Sequence, residues 1–113
     1  MGVIVQKIQK HYKDSIELAI KYYQTICILN DLPITDKELK LLAFTAHRGT
    51  ISGRAPKEEF ARQFNSSIAS VGNLIGKLKG MGLLEEVDGE YRVKKALALD
   101  FKQDLLIQLT LTK

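Results

Sequence analysis

The chain has 113 residues, of which 45% are hydrophobic and 27% are charged, and its formal net charge is +4. This length fits one domain with a small core, and the mixed charges exclude the composition typical of a disordered chain. No apolar run approaches the roughly 20 residues of a membrane-spanning helix. The first ten residues lack the layout of a secretory signal, so we expect a cytoplasmic, intracellular protein without a membrane partner.

The chain has few residues of the types that catalyse reactions or bind metal ions. The single cysteine, Cys27, rules out an internal disulfide and a cysteine zinc site, and it lies in an apolar helical stretch. His11 and His47 are far apart without metal-ligand spacing, and no glycine-rich phosphate loop or Ser-His-acid set occurs. We therefore expect a non-catalytic protein without a cofactor or metal.

Charge is distributed unevenly along the chain. Residues 47–81 carry six basic and two acidic side chains, whereas residues 82–93 carry four acidic side chains and one basic one. The excess of positive charge therefore lies in the middle and is followed directly by an acidic strip. A mildly basic segment of this kind suits an acidic partner without requiring one.

Residues 3–8 alternate loosely and are rich in β-branched residues, which predicts a short strand. From about Lys13 to Leu29, apolar residues recur at helical spacing and predict a first amphipathic helix. Asn30, Asp31 and Pro33 are typical of residues that end a helix.

The second helix has the clearest start signal. Thr35 is followed three residues later by Glu38, a capping box in which each side chain satisfies a free backbone N–H. Ile34 and Leu39 occupy the positions of a hydrophobic staple around that cap. The helix is predicted to end near Gly49, where residues 47–55 break the pattern. Its predicted buried stripe consists of Leu39, Leu42, Ala43 and Ala46.

The third helix is predicted to start at Pro56, because proline suits a first helical position where no N–H is needed. Glu58 and Glu59 favour the positive end of its dipole. Asn65 is predicted to end it by adopting a left-handed conformation. The side chains predicted to point inward are Phe60, Ala61 and Phe64.

A fourth helix follows, capped by Ser66 or Ser67, running to about Lys79 and closed by Gly80 and Gly82. At 100° per residue, its buried side is predicted to hold Ile68, Val71, Leu74, Ile75 and Leu78. Its opposite side is predicted to show Ala69, Gly72, Asn73, Gly76 and Gly80.

The last part of the chain is predicted to form strands. Asp88-Gly89 is a strong hairpin signal between strands at residues 83–87 and 90–93. Residues 105–112 alternate and predict a C-terminal strand that pairs with the N-terminal one. The expected fold class is therefore α+β, mainly α, in a single domain over residues 1–113.

Three helices with a short link between the last two, followed by a β-hairpin, are the layout of a winged helix-turn-helix. ITDKELKLLAF resembles the opening helix of MarR-like regulators, and EEFARQFNSSIASVGNLIGKLKGMGLL resembles their helix-turn-helix. The resemblance covers residues 34–95, with residues 1–33 and 96–113 added at the two ends. The positions that carry it are Ala61, Asn65, Ser67, Val71, Leu74, Leu78, Gly82 and Leu83. The chain also resembles, more loosely, small phage-encoded winged-helix proteins.

The resemblance implies binding of duplex DNA and a role in transcription regulation, with the last helix in the major groove. On that hypothesis Asn73 pairs with an adenine edge, since its amide offers one donor and one acceptor. The residues expected to bind phosphates are Arg54, Lys57, Arg62, Ser66, Ser67, Ser70 and Lys77.

Two features favour an alternative. The hairpin segment is acidic, and its carboxylates would repel phosphates. Gly72, Gly76 and Gly80 recur every four residues, and each glycine costs about 0.8–1 kcal/mol of helix stability relative to alanine. This pattern favours a protein-docking or structural component of a larger assembly such as a phage particle, virion-associated, docking through Ala69, Gly72, Gly76 and Gly80. Either function is compatible with a homo-oligomer.

Overall fold

A computed structural model describes residues 10–98 of the chain. Four helices come first: α1 (Ser15–Leu29), α2 (Asp36–Arg48), α3 (Arg54–Gln63) and α4 (Ile68–Gly80). Two antiparallel strands, β1 (Leu84–Val87) and β2 (Glu90–Val93), and a 3-10 turn at Lys95–Leu97 follow. The described part is therefore mainly helical with one small sheet, as predicted. The predicted terminal strands at residues 3–8 and 105–112 lie outside the described residues.

α2 is the central helix. Its capping box is present as predicted: Glu38 N–H donates to Thr35 Oγ1 at 3.2 Å, and Thr35 N–H donates to Glu38 Oε1 at 2.8 Å. The helix is buried on more sides than the predicted stripe, because α1 packs on it from one direction and α4 and β2 from others. Leu41 and Phe44, which the stripe omitted, are therefore also buried.

α3 begins two residues earlier than predicted. Gly53 stands at its N-cap with φ of 89°, a backbone conformation that glycine adopts without strain, so the helix starts at Arg54. The prediction that Pro56 is the first helical residue is wrong, since Pro56 is the third and is buried. Glu58 consequently falls in the second turn, and the first turn holds no acidic residue.

An aromatic cluster joins α2 to α3. Phe44 meets Phe60 edge-on with ring centroids 5.5 Å apart, and Phe60 and Phe64 lie 4.9 Å apart. The edge-to-face pair of Phe44 and Phe60 stabilises the fold beyond the area that it buries. The inward orientation predicted for Phe60 is confirmed by its full burial.

The hairpin turns at Asp88-Gly89, with φ of 53° and 80°, the two positive values that a two-residue turn of this type requires. Leu84 pairs with Val93, and both side chains are buried against the helices. The hairpin therefore forms as predicted, except that β1 starts at Leu84.

α1 packs on α2 and is fixed to the end of the described chain. The Tyr23 hydroxyl is buried and donates a 2.8 Å hydrogen bond to the Leu97 carbonyl oxygen. Burial is the main reason that the Tyr23 pKa is raised, and the neighbouring Tyr22 adds to it. The helix starts at Ser15, capped by Asp14, two residues later than predicted.

Candidate nucleic-acid interface

The link between α3 and α4 is short and well defined. Phe64 caps the end of α3, Asn65 takes the predicted left-handed conformation with φ of 51°, and Ser66 N–H donates to the Ala61 carbonyl at 2.8 Å. Ser67, and not Ser66, is the N-cap of α4, since its Oγ accepts from Ser70 N–H at 3.1 Å. These bonds fix where the first turn of α4 lies relative to α3.

The two helices form an open groove of about 480 Å³ where their first turns meet. Gly53, Arg54, Lys57 and Glu58 line it from α3, and Ile68 lines it from α4. Two basic side chains that were predicted from the sequence to bind phosphates thus share one surface with the start of α4.

Basic side chains on α3 and α4 differ in whether a carboxylate already neutralises them. Arg54 forms an ion pair with Glu58 four residues along the helix, and the hydrogen bond from that pair raises the Arg54 pKa. Lys57, Arg62 and Lys77 form no ion pair with any of the described residues. These three cations are therefore the ones available for an external anion.

The inward side of α4 is confirmed at three of the five predicted positions. Val71, Ile75 and Leu78 are 0%, 6% and 0% exposed, and Leu74 is half-buried against the core. Ile68 was predicted to be buried and is 47% exposed. Its place in the first turn explains the error, because an angular projection along the helix takes no account of where the neighbouring elements end.

The outward side of α4 carries little side-chain volume. Gly72, Gly76 and Gly80 are exposed, and a Cβ added at any of them would meet no described atom within 4 Å beyond the helix's own backbone. Ala69 and Asn73 are exposed beside them. The Asn73 amide forms no hydrogen bond with residues 10–98, so both its donor and its acceptor are free.

The three serines of the predicted site have different environments. Ser67 Oγ caps α4 and donates to Ser70 Oγ at 2.8 Å, which leaves the Ser70 hydroxyl hydrogen available. Ser66 Oγ is buried and has no hydrogen-bond partner among the described residues, so the predicted phosphate contact from Ser66 does not agree with its position.

A contact that the sequence reading missed ties the hairpin to the α2–α3 link. Ile51 N–H donates to the Tyr91 carbonyl at 3.1 Å, and Thr50 Oγ1 donates to the same oxygen at 3.1 Å. Tyr91 N–H in turn donates to Ser52 Oγ. Residues 50–52, which the sequence predicts as a break after α2, are therefore hydrogen-bonded to Tyr91 of β2. The signal for this contact in the sequence is the β-branched pair Thr50-Ile51. The structure buries Ile51 fully.

The acidic hairpin is partly neutralised by the protein itself. Glu90 Oε2 lies 2.7 Å from Arg92 Nη2, and Glu86 Oε2 lies 4.0 Å from Lys79 Nζ. The hydrogen bond that Arg92 donates to Glu90 raises the Arg92 pKa. Glu85 and Asp88 form no ion pair within the described residues. Exposed pairs of this kind add little stability, so their main effect is on local charge.

The described cysteine and histidine side chains do not lie together in one site. Cys27 is buried on α1, and burial raises its thiol pKa. His47 Nδ1 lies 2.8 Å from Ser15 Oγ. Within residues 10–98 no three His, Cys, Asp or Glu side chains are placed to hold a metal ion. Across the same residues, no helix is both long and apolar enough to cross a membrane.

Comparison with known proteins adds no relative. No protein-family model matches the chain, and no curated protein or solved structure does so significantly.

Proposed function

We propose that the protein is a non-catalytic winged helix-turn-helix module that binds duplex DNA through the start of α4 and the adjoining residues of α3. The observation that carries the proposal is the groove between α3 and α4, where Lys57, which has no ion-pair partner among the described residues, lies beside the first residue of α4. Transcription regulation is the biological role that follows from the resemblance to MarR-like regulators.

The arrangement of elements supports the winged-helix part of the proposal. α2, α3 and α4 are followed by a hairpin, and residues 50–52 are hydrogen-bonded to Tyr91 of β2 by one backbone bond and two side-chain bonds. α4 packs on α2 and α3 with one side only, which leaves its other side exposed for a major groove.

Charge supports the choice of partner. A phosphate backbone is bound mainly by lysine and arginine, and Lys57, Arg62 and Lys77 have no competing carboxylate within the described residues. Asn73 on the exposed side of α4 has the donor and acceptor that suit an adenine edge. The bare neighbours of Asn73 let the helix backbone approach the bases closely.

The hairpin has a different role in this proposal. With four carboxylates against Arg92, its charge opposes phosphate contact, and two of those carboxylates remain unpaired within the described residues. We therefore place the hairpin away from the DNA backbone, where it covers one end of the core through Leu84 and Val93.

Binding to random-sequence duplex DNA at low and moderate salt tests the proposal. We expect binding that weakens as salt rises, and that weakens further in Lys57→Ala and Arg62→Ala. Lys21→Ala on α1 is the matched control, since it removes an exposed lysine from a helix that packs on α2. If the protein does not bind at low salt, or if all three variants bind equally, the proposal is wrong.

The exposed glycines favour a second candidate, a protein-docking or structural component of a larger assembly. Nothing in the described fold requires Gly72, Gly76 or Gly80, because an added Cβ meets open space at each. A close partner would supply the reason for them. Size-exclusion chromatography of the wild type and Gly76→Leu tests this candidate: a defined oligomer that Gly76→Leu dissociates would support it. A monomer in both would reject it for self-assembly.

A further inference from the structure

Ile68 is an apolar side chain at a polar and charged surface. It is the first residue of α4 and is 47% exposed, whereas Val71 and Ile75 on the same helix are 0% and 6% exposed. A single exposed isoleucine is ordinary in a soluble protein. Its surroundings distinguish this one, because it lines the groove of Arg54 and Lys57.

The neighbours of Ile68 leave its side chain accessible. Ser67 and Ala69 are both exposed and small, and Gly72 stands one turn further along α4. Glu58, the acidic residue of the groove, is already paired with Arg54. Ile68 is thus an accessible aliphatic group beside an unneutralised lysine, Lys57.

We infer that Ile68 is a specificity-determining residue that contacts the 5-methyl group of thymine in the major groove. The inference rests on the proposed function and names the base chemistry that the same surface selects. The thymine methyl is the apolar group that an A·T pair presents in the major groove. Residues at the start of a reading helix contact base edges, and Ile68 is the first residue of α4.

The charges around Ile68 favour this occupant over an apolar protein surface. Lys57 lines the groove with Ile68, and a cation there suits the phosphate next to the contacted base. Burying the same lysine against an apolar partner would leave its charge unpaired, which is costly. The neighbours of Ile68 on α4, Ser67 and Ala69, have side chains too small to compete with it for the methyl group.

A preference for methylated pyrimidines follows. Burying one methyl contributes about 0.8 kcal/mol, which corresponds to about a fourfold change in affinity. Cytosine with a 5-methyl group presents the same apolar surface as thymine at that edge, so the preference extends to it.

Two pairs of short alternating duplexes test the inference. One pair is d(A-T) against d(A-U), and the other is d(G-C) with and without the cytosine 5-methyl group. Each pair differs only in the methyl. We expect wild-type protein to bind the methyl-bearing duplex about fourfold more tightly per methyl contacted in both pairs. Ile68→Ala is expected to abolish the difference, while Ile28→Ala, which removes another exposed isoleucine on α1, is expected to retain it.

The outcomes separate this inference from the function on which it rests. Equal binding of both duplexes in each pair by the wild type overturns the role of Ile68 and leaves DNA binding intact. A methyl preference that persists in Ile68→Ala also overturns it. If the wild type binds none of the duplexes at low salt, the proposed function has failed. If Ile68→Ala instead dissociates an oligomer in size-exclusion chromatography, Ile68 contacts protein and the inference is wrong.

Discussion

The inward and outward sides of α4 are built from opposite kinds of residue. Val71, Ile75 and Leu78 face the core and are nearly inaccessible, whereas Gly72 and Gly76 between them present bare backbone. The first set stabilises the helix by burial, and the second weakens it through low helix propensity. A helix whose packing is strong on one side can tolerate glycines on the other, and that tolerance makes a backbone-lined surface possible. Substitutions on the two sides should therefore have opposite effects.

The largest effect is expected on the inward side. Leu78→Ala removes a fully buried side chain from the core, so the free energy of unfolding should fall by about 2–5 kcal/mol. Chemical denaturation measures it. Lys77→Ala, the exposed neighbour, should change stability by less than about 0.5 kcal/mol. A loss below about 1 kcal/mol for Leu78→Ala would contradict the division of α4 into two sides.

The cap of α4 links the two sides, because it stabilises the helix from the end that is proposed to face DNA. Ser67→Ala removes the bond from Ser70 N–H and should cost about 1 kcal/mol in urea denaturation. Ser67→Asp keeps a capping oxygen and should preserve stability, yet its charge should weaken DNA binding. If Ser67→Asp bound DNA as the wild type does, the start of α4 would not lie against phosphates.

On the outward side, substitution should raise stability. Gly76→Ala adds a Cβ in open space on a helix, so the free energy of unfolding should increase by about 0.8–1 kcal/mol. Thermal or urea unfolding measures the gain, with Gly72→Ala as the parallel variant. A destabilised Gly76→Ala would show that the outward side is occupied within the protein. A stabilised variant with weaker partner binding would show that the glycine serves the partner.

Burial of Tyr23 in the core, in contrast to the exposed surface of α4, predicts that the stability of the protein changes at alkaline pH. Burial raises the Tyr23 pKa, so its neutral form is favoured in the folded state. The associated stability is complete below the ordinary tyrosine pKa of about 10 and is lost as pH rises above it. Tyr23→Phe should therefore be less stable than the wild type at neutral pH, by about 0.5–1.5 kcal/mol for the lost hydrogen bond.

Above pH of about 10, stability should fall less steeply in Tyr23→Phe than in the wild type. Urea denaturation at a series of alkaline pH values gives both slopes. Parallel slopes would mean that the Tyr23 hydroxyl ionises in the folded protein as it does in the unfolded chain.

Sequence patterns predicted the elements whose rules are local. The Thr35–Glu38 capping box and the Asp88-Gly89 turn depend on residues a few positions apart, and both were confirmed. The bond between Ile51 and Tyr91 joins residues 40 positions apart, and no local pattern specifies it. The same limit explains Ile68, whose exposure depends on how the first turns of α3 and α4 pack and not on its angle around α4.

The candidate site was predictable as a set of residues but not as a surface. The charge of Lys57 and Arg54 predicts phosphate contact, whereas their place beside Ile68 depends on the packing of α3 on α4. Ser66 has a residue type that suits a phosphate contact, but its hydroxyl oxygen is buried. Charge and residue type identify candidates, whereas the fold decides which of them reach solvent together.

An NMR titration of the ¹⁵N-labelled protein with a short duplex tests the central claim most directly, because it locates the bound surface residue by residue. We predict that the largest amide shifts occur in residues 66–77 of the α4 segment and in residues 54–62, with small changes in α1 and at the hairpin turn. Shifts concentrated in α1 or the hairpin, with those of α4 unchanged, would contradict the claim that the outward side of α4 binds DNA.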